Sequence, residues 1–237
     1  MSLRFSRMLR SVLQPSAQQR LGLVCALLVV CADSTGCVTA SVEHLRQAPS
    51  VAVTNGEAVV VLGRDEPSGY QTEAEFTQCV AESLKGAALT IYPQQRFINQ
   101  LFPWFEPRIA PMTTDALQRL LADPVIAQRL RSTNVRYIVW MDGATRDAGN
   151  GGAMSCAVGP GGGACLGFLW WEEEAAYEAS VWDLSDVQSI GKVSIDANGT
   201  SYMPAVILPL PLMARTQAVA CHNVADALRE FLKPRSR

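Results

Sequence analysis

Residues Val135 to Asp142 read VRYIVWMD. Apolar, β-branched and aromatic side chains fall at odd and even positions alike, which predicts a strand covered on both faces, central in a sheet. The next stretch of chain is unlike it. Gly143 to Phe168 holds nine glycines, Gly161-Gly162-Gly163 among them, together with Cys156 and Cys165. Glycine loses more conformational freedom on ordering than any other residue. The stretch therefore predicts a long loop, and such loops in compact domains are functional or disordered. A Cys156–Cys165 bridge would close a short ring there and contribute about 2–3 kcal/mol in the chain-entropy model. Gly151, Gly152, Gly161, Gly162 and Gly163, with Trp170 and Trp171 just beyond, form the candidate interaction loop. The glycines have neither the Lys-Ser/Thr of a phosphate loop nor the dinucleotide-binding spacing, which argues against a nucleotide cradle.

On the N-terminal side, Ala58 to Leu62 is an unbroken apolar run and predicts a second buried strand. Asn55-Gly56 suggests a short hairpin turn before it. Thr72 to Lys85 predicts a helix: Thr72 and Glu75 have capping-box spacing, and Phe76, Cys79, Val80 and Leu84 share one face. Ala88 to Tyr92 predicts a third strand. Gln94 to Pro111, rich in aromatics and prolines, predicts a short helix and an irregular cover over the core. Thr114 to Leu121 and Pro124 to about Ser132 predict two helices, the second capped by Asp123 with proline at its first position. Downstream, Ala176 to Leu184 and Ile190 to Ala197 predict an antiparallel hairpin, with a turn at Asn198-Gly199. Tyr202 to Met213 is apolar, but three prolines forbid a regular element. It is either a buried extended connection or an exposed apolar lip. Thr216 to Leu232 predicts the final helix, with Cys221, Val224, Ala225, Leu228, Phe231 and Leu232 in one stripe. His222 lies off that stripe.

The resulting fold class is α/β (α+β): a single mixed sheet of about five strands with packed helices, and a long glycine-rich loop before a C-terminal hairpin and helix. Cys79 and Cys221 both face inward on helices flanking the sheet. They are expected to form a second disulfide, with unpaired buried thiols as the alternative.

The N-terminus carries a different signal. Leu21 to Cys37 reads LGLVCALLVVCADSTGC, preceded by Arg4, Arg7, Arg10 and Arg20 with no acidic residue. Charged region, apolar run and small-residue step are the parts of an export signal, and the apolar run is too short to span a bilayer. The chain divides into a cleaved signal peptide (1–36), a tether (37–50), one α/β domain (51–233) and a short tail (234–237). Net charge is −2 over 237 residues, with part of the positive charge in the removed segment. The mature chain has no basic field for nucleic acid. An even number of cysteines beyond position 37, in an oxidising compartment, fits disulfides. There is no C-x-x-C and no Cys/His cluster with zinc spacing, so neither a metal nor a cofactor is expected.

Thr35-Gly36-Cys37 resembles the lipobox of bacterial lipoproteins, with Ser34 where the pattern usually has Leu. The resemblance implies acylation of Cys37, which becomes the first residue of the mature chain. With Val38 next, it implies sorting to the outer membrane, lipid-anchored on the periplasmic side. The element order of residues 51–232 also resembles the α/β domain of periplasmic assembly lipoproteins: penicillin-binding-protein activators, the curli-secretion lipoprotein and the N-terminal domain of the Tol translocation protein. No functional residue carries over from that likeness.

Catalytic chemistry finds little support. A serine hydrolase needs a nucleophile, base and orienter, but the only histidines are His44, in the predicted tether, and His222. No G-x-S-x-G elbow occurs. The sequence reading is therefore a non-catalytic envelope lipoprotein, an interaction or assembly module whose partner is an envelope protein or peptidoglycan, with homo-oligomerisation left open. The alternative is a carboxylate-dependent hydrolase of peptidoglycan or another envelope glycan, using two of Asp142, Glu172, Glu173 and Glu174.

Overall fold

The structure, a computed structural model, describes residues 37–46, 57–65, 71–85, 89–160, 162–205 and 213–232. The expected signal peptide, the expected Asn55-Gly56 turn, Gly161 and most of the proline-rich 202–213 segment lie outside the described residues.

The strands are β1 (Cys37–Arg46), β2 (Ala58–Gly63), β3 (Thr90–Ile91), β4 (Val135–Gly159), β5 (Gly162–Asp183) and β6 (Gln188–Ala205). The helices are α1 (Ala74–Lys85), α2 (Gln94–Gln100), α3 (Thr114–Leu121), α4 (Pro124–Ser132) and α5 (Thr216–Leu232). The strands form one mixed sheet in the order β1-β6-β5-β4-β2-β3. β2 is parallel to β3 and β4, and every other pairing is antiparallel.

Each face of the sheet has its own core. α1 and α5 cover one face, where Phe76, Val80, Leu84, Val224 and Leu228 pack on Val59, Val139, Tyr177 and Ile195. α2, α3 and α4 cover the β2–β4 end of the other, where Phe97, Leu101, Leu117 and Leu130 pack on Val60, Leu62, Ile138 and Trp140. The two-sided burial of β2 and the start of β4 follows from their unbroken apolar runs. Thr113 and Asp123 cap α3 and α4 by accepting from the Ala116 and Val125 amides. Thr72, by contrast, is no capping residue. Its hydroxyl donates to the Met141 carbonyl at 3.0 Å, tying the approach to α1 to the central strand.

Three further expectations are corrected. Residues 37–46 are not a free tether. They form β1, a sixth strand antiparallel to β6, so the sheet begins at Cys37 and not near position 51. Val38 and Val42 turn inward onto the α1/α5 core, while Thr39, Ser41 and Glu43 turn out. Asn198-Gly199 is not a turn, because β6 runs through it, paired to both β1 and β5. Most consequentially, the glycine-rich segment is not a loop. It is the distal half of a β4–β5 hairpin with strands of 25 and 22 residues.

Both expected disulfides are present. Cys79–Cys221 joins α1 to α5, and Cys156–Cys165 crosses the hairpin between directly opposed residues. The first closes a sequence separation of 142 residues. In the chain-entropy model such a bridge stabilises by roughly 5 kcal/mol. Replacing Cys79 and Cys221 together by Ala should lower the urea midpoint by a matching amount, whereas the Cys156/Cys165 double replacement should cost little more than half as much.

Candidate functional site

The hairpin begins in the core, with Tyr137 opposite Asp183, and its ladder continues outward to Gly159 opposite Gly162. A single irregularity, between Asp147 and Gly149, interrupts the register. β2 leaves β4 at Met141 and β6 leaves β5 at Gly167. Among the described residues the arm is thus three-stranded to about Ala205 and two-stranded beyond.

Several glycines are required by the geometry and are not fillers. Gly152 has φ +103°, and a Cβ there would stand 2.1 Å from the Phe168 carbonyl oxygen. At Gly151, directly opposite Trp170, a Cβ would lie 2.9 Å from the indole ring. Trp170 therefore fills the space that Gly151 leaves on the paired strand, as aromatic residues do beside strand glycines. Poor intrinsic strand formers are held in register by the bridge, the indole and the ladder itself.

Directly opposed residues of a sheet point to the same side. Trp170, Phe168 and Leu166 of β5 share one side with Tyr202 and Pro204 of β6, and the Phe168 and Tyr202 rings meet at 5.8 Å. Trp171, Leu169, Met203 and the disulfide share the other. Val158, Leu166 and Phe168 are exposed at 91%, 69% and 45%. Of the proposed loop residues, Gly151 and Gly152 lie on β4, and Gly162, Gly163, Trp170 and Trp171 on β5; only Gly161 falls outside the described residues. The described members thus share one hairpin, as strand where the sequence predicts a loop.

Cys37 is exposed and carries a free thiol. Its register runs across the sheet: Cys37 opposite Thr200, Thr200 opposite Glu172, Glu172 opposite Gly149. It therefore stands at the root of the arm. No helix among the described residues is long and apolar enough to cross a membrane.

Of the four carboxylates considered for hydrolysis, three share one side of the sheet and Glu173 takes the other. Glu172 and Glu174 are exposed on the side of the sheet shared with Cys37, and Glu173 is on the opposite side. Asp142 lies opposite Glu178, which pairs with Lys192 at 2.6 Å. His222 is exposed, and His44 lies on edge strand β1.

One polar cluster has no signature in the sequence. At the junction of arm and core, the Tyr177 phenol contacts Thr145 Oγ1 at 2.7 Å and donates to Glu73 Oε2 at 3.0 Å. Glu73 Oε1 accepts from the Thr145 amide, and the Phe76 ring stacks on Tyr177. Gln217 of α5 completes the cluster through its amide nitrogen. The cluster ties β4, β5 and the starts of α1 and α5 together just where the helices stop covering the sheet. Burial pushes the Tyr177 phenol up to about 12, with Thr145 and Gln217 pulling the other way.

No protein-family model matches the chain, and no curated protein matches it. Among solved structures it is similar to the PelC dodecamer from Paraburkholderia phytofirmans, at 16% identity and a TM-score of 0.40, covering 83% of this chain and 100% of that one. A single-substitution variant of that dodecamer gives 16% identity and a TM-score of 0.37 over 84% and 100% of the two chains. Likeness at this level carries no functional argument.

The raised phenol gives a testable pH dependence. An unfolded tyrosine ionises near pH 10. The stabilisation from a buried, protonated Tyr177 is complete below that value and is lost as pH rises through about 12. Chemical-denaturation midpoints should fall steeply in this window. Tyr177→Phe should flatten the fall, leaving the part due to Tyr137, whose phenol burial also raises. It should also cost about 1–3 kcal/mol near neutral pH, because the Glu73 carboxylate loses a donor.

Proposed function

We propose that this chain is a non-catalytic envelope lipoprotein, anchored through an acylated Cys37 on the periplasmic side of the outer membrane, where it serves as an interaction or assembly module. One observation carries the reading: the cysteine that ends the lipobox-like sequence is exposed and free, while Cys79, Cys156, Cys165 and Cys221 are used up in disulfides. A structural cysteine would be expected inside or paired. Cys37 is neither, and its place at the start of an edge strand leaves the thiol accessible to acylation.

The two disulfides agree with an oxidising compartment. The protruding hairpin presents apolar side chains on rigid strands, and the Tyr177 cluster fixes its root to the core. Rigid, exposed apolar side chains are what a binding surface needs.

Intact mass spectrometry of protein extracted from membranes, with and without reduction, tests this directly. The expected result is a chain beginning at Cys37 with fatty acid attached, gaining the hydrogens of two disulfides on reduction. Cys37→Ser should abolish the lipid mass. A mature chain that begins elsewhere, or that lacks fatty acid, overturns the proposal.

A further inference from the structure

We infer that one side of the distal arm is a second membrane contact. The side bearing Trp170, Tyr202, Phe168, Pro204 and Leu166 lies against a zwitterionic phospholipid surface, in the leaflet that holds the lipid on Cys37. This deepens the lipoprotein reading and rests on it for the anchor.

The first support is position. β1 is antiparallel to β6, so its Cys37 end points toward the arm tip. Opposed residues share a side, so the Cys37 side chain emerges on the side of Thr200 and Glu172. Trp170, Tyr202, Phe168, Pro204 and Leu166 continue that same side outward at alternate positions. An acyl chain on Cys37 would start at the foot of this apolar row.

The second support is charge. From Ala148 to Trp171 there is no charged residue, and the run is bounded by Asp147 and Glu172. The boundary falls on the Cys37 row itself. On that row the same side carries Glu172, and inward of it Glu174, Glu43, Asp196, Arg146 and Lys192, with acidic residues in excess. Outward of it, contact with lipid desolvates no ion. From Gly149 to Gly159 the arm extends roughly 30 Å at the antiparallel rise, ample for contact with a bilayer surface.

The third support is residue type. Trp170 and Tyr202 sit nearest the anchor row, with Phe168 and Leu166 beyond. Tryptophan and tyrosine favour the headgroup region, where an apolar ring meets a polar edge. Leu166 and Phe168 are exposed at 69% and 45%, so apolar surface is available for lipid to cover.

The backbone sets the depth. Among the described residues, no strand pairs with the outer edge of β4 from Asp147 outward or with either edge of the tip, so backbone N–H and C=O groups there face outward. Leaving them in hydrocarbon is too costly. The arm therefore lies in the interfacial zone, where water reaches its edges. The excess of acidic over basic residues on the side inward of Cys37 disfavours an anionic surface.

The test uses the membrane-extracted protein with phosphatidylcholine vesicles, plain or brominated near the acyl carbonyl. Brominated lipid should quench tryptophan emission. Trp170→Phe should remove most of that quenching, and Trp171→Phe, on the opposite side, should leave it. Leu166→Glu with Phe168→Glu, both at exposed positions, should weaken vesicle partition by roughly tenfold or more, with the Cys156–Cys165 bridge still formed. Equal emission in plain and brominated vesicles, while the protein floats with both, overturns the contact. Quenching lost in Trp171→Phe but kept in Trp170→Phe overturns the assigned side. Protein without fatty acid that is still quenched refutes the anchor and retains the arm contact.

Discussion

The β4–β5 ladder is the constraint on which the molecule depends. It starts between helices in the buried part of the sheet and, among the described residues, ends as an exposed two-stranded ribbon. In the core, apolar burial holds the pairing in place. In the arm that driving force is absent, and register is inherited from the buried half. Because strand side chains alternate with a period of two, a slip of one residue would turn Tyr177, Ala179 and Val181 out of the α1/α5 core. Ordering in the core thus fixes which residues meet at the tip. It brings Cys156 opposite Cys165 and Trp170 opposite Gly151, and both pairings then reinforce the arm.

Much of this is legible in the chain, and the misses have physical causes. The helices are readable because capping residues and apolar stripes are local signals; α5 follows its stripe from Thr216 to Leu232. Both disulfides are readable because pairing follows from inward faces and short separation. The arm is not, because glycine and alanine have low strand propensity and nothing local in Gly159 or Gly163 records a distant register. The unread signal is the pairing of β-branched and aromatic residues before Gly143 with those after Phe168, which calls for antiparallel return through the intervening segment. β1 escapes notice for a milder reason. Val38 and Val42 alternate with Thr39, Ser41 and Glu43, but a short, polar edge strand resembles a linker until its partner β6 is known.

The residues of the candidate surface lie on one hairpin, in strand conformation where a loop is expected. Glycines read as freedom in the chain act here as close-approach points, with Gly152 and Gly151 leaving room for the Phe168 carbonyl and the Trp170 ring. The distinction bears on function. A flexible loop loses entropy on binding, whereas a stapled hairpin offers its side chains already placed. The Tyr177 cluster belongs to the same logic, since it gives the arm a fixed root where helix cover ends. Tyr177 stands on the row of Val42, and Cys37 farther out, on the row of Glu172, so the cluster, the exposed cysteine and the distal arm follow one another along one sheet.

Amide hydrogen exchange over residues 149–172 tests the ladder most directly. If the glycine-rich segment is paired strand, its cross-strand donors exchange slowly, alternating with fast outward-facing amides along β4 and along β5 before Gly167, and the pattern persists through Cys156 and Cys165. Uniformly fast exchange between Gly149 and Gly167, at the rate of an unstructured chain, would contradict it and make the segment a loop after all.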